Sequence, residues 1–161
     1  MNARATQLIQ DLGLLLHPEG GYYREIHRSV SRVRPLDGRP ERSAMTTIYF
    51  LLVAGQVSRW HRVRSDEVWH HYEGDPVALQ IMSDDFERNG TARLGPLASS
   101  VCPVQVVPSN CWQTARSLGA YSLVGCSVGP GFDFADFALL RDAPEQAVIL
   151  KQRYPEWIES L

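Results

Sequence analysis

Leu8, Ile9, Leu12, Leu15 and Leu16 recur at helical spacing, with Gly13 and Pro18 breaking the pattern, which predicts one short amphipathic helix near the N-terminus. After HPEGG the period shortens, and YYREIHRS alternates as a strand does. Residues 29–43, SVSRVRPLDGRPERS, are rich in arginine, carry two prolines and an Asp-Gly turn, and read as an exposed surface loop. From residue 45 to about 140 the chain reads as short strands separated by turns. MTTIYFLLVAG is a buried strand ended by glycine, and QVSRWHRV, EVWHHYEG, PVALQIMS and TARLG follow, with DDFERNG as a turn. Residues 103–108, 110–115 and 120–128 complete the set. Many short strands with Gly, Pro and Asp turns predict an all-β sandwich or jelly roll. A C-terminal helix is marked by Asp142 as N-cap, Glu145 three residues on and Pro144 in the first turn. No repeat, low-complexity tract or linker divides residues 1–161, so one domain is expected.

Composition narrows the class without naming a function. At 161 residues, 44% apolar and 21% charged, the chain has enough interior for one substantial core. A net charge of -2 gives no reason to expect nucleic acid or an anionic membrane surface as partner. The N-terminal apolar run contains Asp11 and no small-residue cleavage site, and no segment reaches the roughly 20 apolar residues that span a bilayer. Cys102, Cys111 and Cys126 form no CxxC pair. They read as buried small side chains in a reducing compartment, and the cytoplasm is the expected location.

The stretch GQVSRWHRVRSDEVWHHYEG holds three of the five histidines. Its spacing, Gly55, His61, Val63, Glu67, Gly74, resembles the first motif of the cupin superfamily, in which two histidines one residue apart precede a glutamate. Valine stands in place of the second histidine. VVPSNCWQTA resembles the second motif, with Pro108 kept and Asn110 and Gln113 in place of its glycine and histidine. HPEGGYYREIHRS, SDEVWHHYEGDP and VGCSVGPGFDFADFALL resemble blocks of the Cupin_5-type family, which is similar to dTDP-sugar epimerases. The resemblance implies a cupin double-stranded β-helix, a jelly-roll barrel with short terminal helices. It also implies that His61 is the base of an epimerase-like site, and that an N-terminal strand, here residues 21–28, lies at or across a homodimer interface.

Strand alternation puts His61 and Val63 on one face, and Glu67, Trp69, His71 and Glu73 on one face of the next strand. If His61 and Glu67 face inward, so does His71, and Gln113 joins them beside Cys111 and Ala115. Valine gives a metal nothing and a neutral amide is a poor ligand, so no metal cofactor is expected. A divalent ion on His61, Glu67, His71 and Gln113 is the alternative. His61 with Glu67 can act as general base or acid, or serve only as a satisfied buried pair. Trp69 and Trp112 can wall a sugar or base ring, or belong to the core. Arg24 can bind a phosphate or carboxylate, or pair with Glu25. Tyr49 and Tyr121 are candidate partner acids. Asp133 and Asp136 read as turn or cap residues, with entry into the pocket mouth as the alternative. Three functions fit: a metal-independent epimerase or isomerase on a sugar, nucleotide-sugar or similar polar molecule, a non-catalytic binder of a small polar ligand, or a metal-dependent oxygenase or isomerase.

Overall fold

The computed structural model describes residues 1–161 as helix α1 (Ala3–Leu12), thirteen strands, helix α2 (Pro144–Arg153) and three 3-10 turns. In chain order the strands are β1 (Leu15–Leu16), β2 (Tyr22–Arg28), β3 (Arg32–Val33), β4 (Arg42–Ser43), β5 (Thr46–Val53), β6 (Val57–Val63) and β7 (Asp66–Gly74). They continue with β8 (Val77–Met82), β9 (Asn89–Leu94), β10 (Val104–Val107), β11 (Trp112–Ser117), β12 (Tyr121–Gly129) and β13 (Phe137–Leu139). One antiparallel sheet runs β1-β2-β5-β12-β7-β10 and a second runs β13-β6-β11-β8-β9, with β3 and β4 as a separate ribbon. This is the jelly-roll sandwich expected from the sequence. No helix is long and apolar enough to cross a membrane.

Period-two alternation explains the layers. In β5, Phe50 and Leu52 enter the interior with Trp69, Val77, Leu79, Leu94, Val107, Val124 and Cys126. Leu51 and Val53 point the other way and meet Ala5, Leu8 and Leu14. The strand is apolar on both faces because α1 covers its outside. Outside the second sheet, Trp60, Met82 and Trp112 pack with Phe86, Leu140, Ala147 and Leu150 under α2.

Several local expectations differ from the structure. Helix α1 stops at Leu12, where Gly13 adopts a left-handed conformation (φ 60°) and caps it. Leu15 and Leu16 therefore fall in β1 and are exposed, not part of a helical stripe. At α2 the N-cap is Ala143, without a side-chain cap, because Asp142 is taken up by the preceding 3-10 turn, Leu140–Asp142. Cys126 is buried, but Cys102 is exposed and Cys111 half-buried. The arginine-rich segment is not simply solvated. Arg39 and Arg42 are buried, and both hold Asp136, whose carboxylate is 2.9 Å from Arg39 Nη1 and 2.8 Å from Arg42 Nε. Burial alone would push the Asp136 carboxyl up, but the two guanidinium groups outweigh it and hold it below the usual range.

Candidate functional site

A cavity of about 360 Å³ opens at one end of the interior, between the N-terminal segment and the two sheets. Two strand irregularities decide which side chains reach it. In β2 the register steps from Glu25↔Ile48 to His27↔Thr47, so Ile26 is looped out. Tyr23, Glu25 and, beyond the bulge, Arg28 line the cavity, while Arg24 faces the other side of the sheet. In β6 the register steps from His61↔Gln113 to Ser58↔Ala115, so Ser58 and His61, three residues apart, share the inner side.

The HPEGG loop docks onto that second bulge. The Arg59 amide donates to the Glu19 carbonyl at 2.8 Å. A β-carbon on Gly20, at φ +107°, would lie 2.3 Å from the Val57 carbonyl oxygen, so only glycine lets the loop approach this closely. The docking buries Glu19 at the centre of a polar array. Ser58 Oγ donates to Glu19 Oε1 at 2.7 Å, while His17 Nδ1 and His61 Nε2 lie 3.3 and 3.4 Å from Glu19 Oε2. His61 Nδ1 is 2.7 Å from the Arg59 carbonyl oxygen, which can only accept, so Nδ1 carries a proton. Nε2 is then the nitrogen that takes or gives one.

The two buried glutamates are tuned in opposite directions. Burial would raise Glu19, but His61, His17 and Ser58 overcome it and hold its carboxyl below the usual range. Glu67 is pushed up by burial, against the pull of His61 and with the Glu19 charge adding to the rise. Gln113 Nε2 donates to Glu67 Oε2 at 2.6 Å, and Cys126 lines the cavity with it. The remaining wall is largely apolar: Phe50, Ile48, Val63, Val128, Phe132, Phe134 and Phe137. At the rim Arg28 grips Glu25 through Nη2 and Nε at 2.6 and 3.0 Å, and its Nη1 donates to the Phe132 carbonyl at 3.1 Å.

Of the residues singled out from the sequence, His61 and Glu67 line this cavity together. They do so with a difference: the carboxylate in contact with His61 is Glu19, and Glu67 is bonded to Gln113 instead. Gln113 and Trp69 lie directly beneath, with the Trp69 indole N–H donating to Gln113 Oε1 at 3.1 Å. They buttress Glu67 and are not lining residues. His71 does not reach the cavity. It lies two residues beyond Trp69, which fills the interior between, and its Nε2 is 3.3 Å from the Asp75 carbonyl oxygen. Trp112 points outward under α2 with the Arg62 guanidinium 4.6 Å above its ring, because its neighbour Gln113 points in. Arg24 donates to the Leu12 carbonyl and closes the end of α1. Tyr49 and Tyr121 are on the outer face, packed on Tyr72 and bonded to Glu73 respectively. Asp133 caps the 3-10 turn Phe134–Asp136 and also lines the cavity.

His17, Glu19, Tyr23, Glu25 and Arg28 were not among the sequence candidates, although all lie inside or beside HPEGGYYREIHRS. The His-x-Glu-Gly-Gly run was the available signal, since paired glycines after two ionisable residues mark a backbone brought close to something.

The residues do not fit the metal held by cupins with three histidines and a glutamate. Val63 presents methyl groups, both polar atoms of Gln113 are spent on Trp69 and Glu67, and His71 lies elsewhere. No three His, Cys, Asp or Glu side chains are arranged to hold an ion.

The comparisons agree with this architecture. A protein-family model, described as Cupin superfamily (DUF985), matches residues 6–140. A hypothetical protein from Leishmania major is 32% identical, with 96% of this chain and 94% of that one covered, at a TM-score of 0.83. A crystal structure from Shewanella oneidensis is 33% identical over 100% and 97% of the two chains, also at 0.83. Oxalate decarboxylase from Bacillus subtilis is 15% identical over 87% of this chain and 34% of its own, at a TM-score of 0.59, a likeness of fold alone. Among curated proteins, none matches. With the family model covering most of its length, the chain belongs to the Cupin_5 family of the cupin superfamily.

Proposed function

We propose that the cavity binds a small polar molecule and moves a proton on it without a metal, as an isomerase or epimerase does. The observation that carries this reading is the buried His17–Glu19–His61 array at the base of an aromatic-walled cavity. His61 Nε2 is the base. Glu19 stabilises the imidazolium that forms when His61 takes a proton from the carbon next to a carbonyl. Tyr23, which also lines the cavity with its ring 4.6 Å from that of His17, is the acid that returns one.

Incubation with a panel of neutral keto- and aldo-sugars in D2O tests this. Wild-type protein, freshly stripped with a chelator, is expected to place deuterium at the exchanging carbon, and His61→Asn to lose it. Labelling that vanished with the chelator would overturn the metal-free reading. A second reading, a non-catalytic binder, draws on the short bond that ties Glu67 to Gln113. It predicts retained binding and no label.

We also propose a homodimer, which the open edge of the first sheet supports. Strand β1 pairs only with Tyr22 and Tyr23, so the rest of β2 has an open edge, and Leu15, Leu16 and Ile26 are exposed beside it. Open apolar edges pair with other chains, most often about a two-fold axis. Light scattering is expected to give twice 18.1 kDa, and Ile26→Lys to shift the mass toward one chain. A wild-type mass of 18.1 kDa would remove the proposal.

A further inference from the structure

The charges around the cavity constrain its ligand, an inference that rests on the cavity being a ligand site. Four carboxylates line it: Glu19, Glu25, Glu67 and Asp133. Arg28 is the one lysine or arginine among the lining residues, and it is already occupied by both oxygens of Glu25 and by the Phe132 carbonyl. The Glu19 carboxylate lies 3.3 Å from His17 Nδ1 and 3.4 Å from His61 Nε2, so a positive charge on either imidazole is already offset. Arg24 is turned away onto α1, and Arg39 and Arg42 are locked on Asp136. No free cation is left to meet an incoming anion.

A phosphate or carboxylate entering here would lose water, gain no counter-charge and stand beside carboxylates, which is unfavourable on every count. The walls offer a different welcome. Tyr23, Phe132 and Phe137 give aromatic surface that accepts the apolar side of a ring or a cationic group, and the carboxylates accept hydroxyl or amine hydrogens. The size agrees, since about 360 Å³ is at the small end of the roughly 300–1,000 Å³ typical of such sites.

We propose that the cavity takes a small uncharged or cationic ring molecule bearing hydroxyl or amine groups, and excludes sugar phosphates and nucleotide sugars. Thiol-directed probes of different charge test this without knowing the ligand, the cationic and anionic reagents being the pair of similar size. Val63→Cys and, separately, Val128→Cys place a thiol in the lining, and exposed Cys102 is an internal reference in the same chain. Each variant is treated with the neutral methyl, the cationic trimethylammonioethyl and the anionic sulfonatoethyl methanethiosulfonate. Peptide mass spectrometry then reads the rate at each cysteine. Relative to Cys102, the cationic reagent is expected to modify the introduced thiol at least about tenfold faster than the anionic one, while the smaller neutral reagent reports access alone. Equal or faster modification by the anionic reagent overturns the charge selection and leaves the cavity reading intact. Failure of the small neutral reagent at both positions would instead show a cavity closed to ligands, and both inferences would fall.

Discussion

Glu19→Gln is expected to lower deuterium incorporation at least about a hundredfold, the low end of what general acid–base catalysis contributes. The amide is nearly isosteric and still accepts from Ser58, but it carries no charge to stabilise a protonated His61. The stability cost is expected to be modest, about 1–3 kcal/mol for a partly orphaned buried group. Glu67→Gln separates the two carboxylates. Burial raises the Glu67 carboxyl in the folded state. Its ionisation therefore costs stability as pH rises through the folded value, and the cost is absent below the ordinary glutamate range. Glu67→Gln removes that cost, so its Tm relative to wild type should climb with pH. Glu19 has the opposite sign: its depressed carboxyl contributes stability above the ordinary range, lost as pH falls through the folded value. If Glu19→Gln turned over at the wild-type rate, the array would be scaffold and not chemistry. A Glu67→Gln Tm that fell with pH relative to wild type would contradict the raised carboxyl.

The fold was legible because its signal is periodic and redundant. Alternation in β5, β7 and β12, with turns at Gly55 and Gly74, specifies the sheets many times over, and the motif spacing carries His61 and Glu67 to one end of them. The rest of the site depends on features that strict alternation cannot express. A bulge at Ile26 brings Arg28 to the inner side, and a second brings Ser58 level with His61. Glu19 arrives on a loop whose docking depends on a glycine contact across the sheet. Trp112 and Gln113 are neighbours in a strand, so both cannot face inward; placing Gln113 by the motif already puts Trp112 outside, in the core that is the alternative to a ligand wall.

Asp136→Asn is expected to have the largest stability effect of any conservative substitution away from the cavity. The carboxylate is held by Arg42 through both oxygens, at 2.8 and 3.0 Å, and by Arg39 at 2.9 Å, with Ser65 and Asp37 completing the Arg39 shell. These bonds tie the segment before β5 to the turn that precedes β13, and so position Phe132, Phe134 and Phe137 over the cavity. An asparagine keeps the volume but leaves buried Arg42 without a counter-charge and Arg39 with only half-exposed Asp37, 3.0 Å from its Nε, and breaking a buried pair on one side costs far more than the pair contributes. A fall in Tm of roughly 10 °C is expected for a chain of this length. The pH dependence fixes the cause. Arg42 and Arg39 hold the folded Asp136 carboxyl below the ordinary range, so its contribution is fully present above about pH 4 and is lost as pH falls through the folded value. The Tm gap between wild type and Asp136→Asn should therefore be constant near neutrality and close in acid. A gap that persisted unchanged at pH 2 would assign the loss to packing, and the absence of any gap at pH 7 would mean that Arg39 and Arg42 find water or other partners at no cost.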